Sequence, residues 1–153
     1  MKIKPISALL LILSIVGCVT VKIPKYLQDE FPYRKTFETS FENTFTATLK
    51  ALKDTGWRVT ETTSPIMFGP GNEADKSKKY EVLIFTEIKQ SPLFLASSYA
   101  SLNALLKAQD QTHTVVEIRY LSMIALPFKA IKTYQNDRLI ERIFKNIELS
   151  LKK

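Results

Sequence analysis

Cysteine and histidine are the residues best able to carry chemistry in a short chain, and here each occurs once, as Cys18 and His113. One imidazole and one thiol fall short of the several His, Cys or acidic ligands that a metal site usually needs. The expectation is therefore no metal and no cofactor. His113 sits at the edge of a strand pattern, where an exposed imidazole, or one with a single hydrogen bond, is commoner than a general base. Serines and threonines are plentiful, yet neither a Gly-x-Ser-x-Gly elbow nor a Ser-x-x-Lys signature supplies an activated nucleophile. The paired acids Asp29 and Glu30 fall in a polar stretch where nothing would shift their pKa or hold a sugar. Gly69-Pro70-Gly71-Asn72 lacks Walker spacing and a following helix, so with the charged residues Glu73 to Lys79 it reads as a solvated loop. No residue set commits the chain to a reaction, and a non-enzyme is expected.

Cys18 has a different context. Lys2 and Lys4 form a charged start, and Ile6 to Val16 is an apolar run shorter than the about 20 residues a membrane span needs. The run closes on Ile15-Val16-Gly17-Cys18, which resembles the lipobox of bacterial lipoproteins. That resemblance implies that residues 1–17 are an export signal that is removed. It also implies that diacylglycerol is transferred to the Cys18 sulfur and that the new amino group is acylated. Several acyl chains anchor stably where one holds only marginally. The plain alternative is a retained helical anchor with an inert Cys18; charge, apolar length, small residue and cysteine together favour the lipoprotein. Val19 stands where aspartate commonly retains lipoproteins in the inner membrane. This implies outer-membrane delivery, facing the periplasm, if the source has two membranes.

The net charge of the chain is +7, and about +5 remains once Lys2 and Lys4 leave with the signal. This mild basic bias suits anionic neighbours such as lipid head groups, and equally a solvated lysine-rich surface. Nucleic acid is not an expected partner, since an exported lipoprotein seldom meets it. With its only cysteine committed to lipid, the exported part must be stable without a disulfide.

The elements follow from periodicity. Residues 18–30, interrupted by Pro24, read as a tether, and residues 31–153 as one α+β domain. Tyr33, Lys35 and Phe37 alternate with Arg34, Thr36 and Glu38 as a strand. Thr39 and Glu42 have capping-box spacing, and Phe41, Phe45, Leu49 and Leu52 continue at helical intervals to Gly56. Strands are expected from Trp57 to Thr62, from Tyr80 to Lys89 and from Thr112 to Ser122. Gln90 to Leu106 carries no charge, and Leu95, Tyr99, Leu102 and Leu106 would align on one side of a helix. That helix is either core or an amphipathic element meeting a partner or the membrane. Leu139, Ile140, Ile143, Phe144, Ile147 and Leu151 make a terminal helix capped by Asn136 or Asp137, with Glu141–Lys145 and Glu148–Lys152 pairs on its wet side. The expected fold is a mainly antiparallel sheet of about four strands with two or three helices on one face.

Tyr33-Arg34-Lys35-Thr36-Phe37 through Phe41, with Leu49-Lys50-Ala51-Leu52-Lys53-Asp54-Thr55-Gly56-Trp57-Arg58-Val59, resembles the strand, helix and strand opening of BamC-like, helix-grip lipoprotein domains. The ending at Ile147 to Leu151 is similar in style. The resemblance implies a non-catalytic accessory of outer-membrane assembly, and the uncharged segment Gln90 to Leu106 departs from it. Two function classes follow. One is an accessory or scaffold subunit that meets an envelope protein through a sheet edge or the Leu95, Tyr99, Leu102 and Leu106 face. The other is a binder of lipid or another amphiphile, in a pocket lined by Trp57, Tyr80 and Tyr120. The first requires an outward apolar patch, the second a cavity between helix and sheet.

Overall fold

The computed structural model describes residues 22–24, 27, 32–63, 81–93 and 96–152. The residues expected to form a leader (1–17), Cys18, the expected loop from Gly69 to Lys79, Tyr80 and Leu95 lie outside them. The described elements run β1 (Tyr33–Phe37), α1 (Phe41–Asp54), β2 (Val59–Thr62), β3 (Glu81–Thr86) and β4 (Lys89–Leu93). They continue with β5 (Ala96–Ala108), β6 (Thr114–Ala125), β7 (Ala130–Thr133) and α2 (Asp137–Leu151). The fold is α+β, with seven strands in one antiparallel sheet and two helices.

The main strand order is β1-β6-β5-β3-β2, with β4 added to β5 and β7 to β6. β5 and β6 form its spine, in unbroken register from Ser97 opposite Ala125 to Ala108 opposite Thr114. β3 and β4 lie end to end along β5, with Phe85 opposite Asn103 and Lys89 opposite Ala100. The residues between them, Glu87 and Ile88, absorb a register shift of the kind a bulge makes.

The terminal helix matches its apolar stripe: Ile140, Ile143 and Ile147 are buried, and Leu139, Phe144 and Leu151 pack at its margins. Asn136 caps it, accepting the Leu139 N–H at 3.2 Å. Tyr33 locks that cap to β1, donating to Asp137 Oδ1 at 2.6 Å while accepting the Asn136 N–H at 3.0 Å. Burial, and then the bond to Asp137, raise the phenol pKa above its ordinary value. The residue capping α1 is Ser40, one place after the expected Thr39; its Oγ accepts the Asn43 N–H at 3.4 Å. Gly56 ends that turn with φ +81°, a left-handed conformation that costs glycine little, and Trp57 follows into the core. Glu148 pairs with Lys35 of β1 at 2.6 Å, and this hydrogen bond holds its carboxyl below the usual range.

The expected helix in Gln90 to Leu106 is not formed, because this segment is β4 and β5. With β7 they bring the sheet to seven strands where about four were expected. The reason is burial on both faces. Ala100, Leu102, Ala104 and Leu106 face the helices, and Ser101 and Asn103 face the reverse; all but Ala100 are buried. A strand covered on both sides needs no polar alternation, so spacing alone cannot separate it from a buried helix.

The reverse of the sheet is covered too. Leu27, in the stretch expected to be free tether, is 2% exposed, and its N–H donates to Asn103 Oδ1 at 3.0 Å. On the same face of the sheet Phe85, Val115, Leu121 and Met123 are buried, together with the charged Glu117 and Arg119. Glu117 accepts from Arg34 at 2.8 Å and from Arg119 at 3.3 Å. The N-terminal segment is therefore part of the fold at Leu27.

Candidate functional site

A groove of about 760 Å³ opens between α1 and β2, lined by Phe45, Leu49, Lys53, Gly56, Trp57, Arg58, Val59 and Thr62. Its walls follow from the local sequence. Phe45 and Leu49, on the apolar stripe of α1, pack against the core and remain partly exposed at its margin. Phe41 stacks on Phe45 one turn earlier, with ring centroids 6.3 Å apart and planes 3° off parallel. Gly56 then reverses the chain, so that Trp57 and Val59 form the opposite wall.

Trp57 is 4% exposed and held from two sides. Tyr120 meets it edge-on, with centroids 6.4 Å apart and planes at 87°. The Lys89 ammonium sits 4.1 Å from its ring centre, where the negative face of the indole attracts a cation. Lys53 and Arg58 stand on the lining itself. Arg58 is largely exposed and pairs with Glu87 at 2.9 Å. The groove thus joins an aromatic and aliphatic interior to three nearby cations, an arrangement suited to a ligand with an apolar body and an anionic head.

Of the expected pocket liners, Trp57 is in the groove wall, and Tyr120 stands behind it and braces it. Tyr80 is outside the described residues. Of the expected partner face, Leu95 also lies outside them. Tyr99 is half-buried on the reverse of the sheet, and Leu102 and Leu106 are fully buried under the helices. In a strand, Tyr99 points away from Leu102 and Leu106, so those three form no common outward surface. Cys18 and residues 1–17 lie outside the described residues.

His113 is placed for structure. Its Nδ1 contacts Asp110 Oδ2 at 2.9 Å, and Asp110 Oδ1 accepts the Thr112 and His113 backbone N–H groups, each at 2.7 Å. These bonds, led by the one from Thr112, hold the Asp110 pKa down at about 2. The group closes the turn between β5 and β6. Among the described residues no three His, Cys, Asp or Glu side chains converge as metal ligands, and no helix is long and apolar enough to cross a membrane.

Phe45, Leu49, Val59, Lys53 and Arg58 were not foreseen as groove residues. The available signal was the run of large apolar residues on α1. The Leu27–Asn103 clasp had no signal, since it joins residues 76 positions apart. Comparison with known protein families, with characterised proteins and with solved structures finds no match for this chain.

Proposed function

We propose that this chain is an exported lipoprotein, anchored through Cys18 in the outer membrane where there are two membranes, that acts by binding and not by catalysis. Its groove takes an amphiphile with an anionic head. The observation that carries this reading is the groove between α1 and β2: an apolar interior of Phe45, Leu49, Trp57 and Val59 with Lys53, Arg58 and Lys89 around it. An acyl chain lies against the interior, and its head group meets the cations.

The test is lipid analysis of the full chain purified from membranes, compared with a Leu49→Asp variant. Leu49 is only partly buried, so the charge enters the groove without breaking the core. The wild type is expected to yield an anionic amphiphile in near-equimolar amount, and the variant to lose most of it. Equal lipid from both proteins contradicts the groove as the binding site.

The accessory-subunit reading is the second. It is favoured by β2, an edge strand among the described residues, whose Thr60, Glu61 and Thr62 are exposed, where an envelope protein could add a strand. A protein captured equally by wild type and Leu49→Asp would move that reading ahead. The BamC-like resemblance bears on this alternative and on outer-membrane assembly in particular.

A further inference from the structure

β6 and β7 form a hairpin whose tip is the most exposed apolar feature of the described chain. Phe128 is 88% exposed, and Ile124 and Ile131, which face each other across the ladder, are 37% and 44% exposed. Leu126 and Lys129 close the turn: the Leu126 N–H donates to the Lys129 carbonyl at 2.8 Å and the Lys129 N–H to the Leu126 carbonyl at 3.4 Å. Pro127 fits the first corner of this turn, where its fixed φ is required, and leaves Phe128 at the second. The side chain is therefore displayed by a rigid turn.

Charge at this end of the sheet has one sign. Leu121 to Gln135 contains Lys129 and Lys132 and no acid, and Ile88 to Ala100 contains Lys89 and no acid. Both lysines of the hairpin are exposed. The opposite end of β5 and β6 carries Asp110 in its turn. An apolar tip with flanking cations matches an interface of acyl chains beneath anionic head groups, where lysine stems can lie along the apolar layer and reach the phosphates.

The chain reaches the same end of the sheet. Lys22 and Ile23 line a hollow with Ile88, Gln90 and Tyr99. Tyr99 lies three residues from the start of β5, about 10 Å along the strand, and Ser97 at that start is opposite Ala125, beside the hairpin turn. Cys18 precedes Lys22 by four residues, a span of at most about 14 Å. A lipid on Cys18 is therefore tethered within about 14 Å of Lys22, on the hairpin end of the sheet's reverse face.

We infer that the β6–β7 hairpin is a second, reversible membrane contact, with Phe128 seated among the acyl chains and Lys129 and Lys132 against anionic lipid head groups. The inference rests on the lipoprotein reading for its orientation. It gives the anchored domain a fixed attitude, hairpin end down.

The experiment places the full chain, purified from membranes, in vesicles of phosphatidylethanolamine and phosphatidylglycerol with brominated acyl chains. Phe128→Trp supplies a reporter at the exposed tip, and the wild-type protein reports buried Trp57 alone. The reporter emission is expected to be lost to bromine quenching while the Trp57 emission survives. Adding Lys129→Glu and Lys132→Glu to the reporter is expected to restore most of it. An unquenched reporter overturns the inference, and one that is unquenched but blue-shifted overturns it in favour of a protein contact. The intact mass of the same sample separates the two claims. Acylated Cys18 with an unquenched reporter removes only the hairpin contact; unacylated Cys18 with a quenched reporter removes only the anchor.

Discussion

The two faces of the sheet are both buried, but they satisfy their polar groups in different ways. Beneath the helices the core is built from Leu52, Ile84, Leu102, Leu106, Val116, Ile118, Ile140, Ile143 and Ile147. Of the buried hydroxyls there, Thr44 and Thr48 turn back onto the carbonyls of Ser40 and Thr44 in their own helix, Thr86 donates to the Leu102 carbonyl of β5 and Thr114 to the Thr39 carbonyl before α1. On the reverse, Asn103 depends on Leu27 and Glu117 on Arg34, partners brought from far along the chain. One face hands its buried hydroxyls to backbone carbonyls; the other places a side-chain amide and a buried carboxylate against Leu27 of the N-terminal segment and Arg34 of β1. If Cys18 carries the anchor, the segment that meets the reverse face is also the one that joins the domain to the membrane.

The contrast can be broken most forcefully on the helix side. Ile143→Ala leaves a cavity in a packed interface and is expected to destabilise the full chain by about 2 to 5 kcal/mol, measured by urea unfolding. A loss under about 1 kcal/mol would mean that this face is not the main source of stability. The reverse face is probed by Asn103→Ala, which leaves the Leu27 N–H without its acceptor at an expected cost of about 1 to 3 kcal/mol. This variant should expose the segment around Leu27 to protease while α2 keeps its hydrogen-exchange protection. Equal loosening of both faces would show that they do not act separately.

The smallest effect is expected at the β5–β6 turn, which lies away from both faces. The folded pKa of Asp110 is depressed to about 2 from 3.8. Its stabilising contribution is therefore complete above the ordinary carboxylate value and disappears as the pH falls toward about 2. Asp110→Asn should flatten that part of the acid-unfolding curve, with a slightly lower stability through the neutral range and no change at the acid end, where the wild-type carboxyl is itself protonated. An identical curve for wild type and variant would remove the turn from the account.

Legibility in the sequence followed the same division. α1 and α2 were readable because each has one buried stripe and one wet face, so their periods are distinct. β1, β3 and β6 showed enough alternation to be placed within a few residues. β5 was misread because it is covered on both faces: Ala100, Leu102, Ala104 and Leu106 satisfy strand spacing, while Leu95, Tyr99, Leu102 and Leu106 also fit a helix. β7 is four exposed residues with no buried face to mark it. Trp57 lines the groove, and Tyr120 packs edge-on against it without lining it. The rest of the groove depends on how α1 and β2 are set against each other across Gly56, which no local pattern encodes. Leu27 is a single apolar residue in a polar stretch, and its burial is set by Asn103 on a distant strand.

The central claim is that the segment leading to Leu27 begins at a lipid anchor. Its most direct test is the intact mass of the full-length gene product extracted from membranes. The account predicts a chain that starts at Cys18 and carries a diacylglyceryl group, with a further acyl group on the amino terminus where that step occurs. A chain that retains residues 1–17, or one cleaved there with an unmodified Cys18, would contradict it.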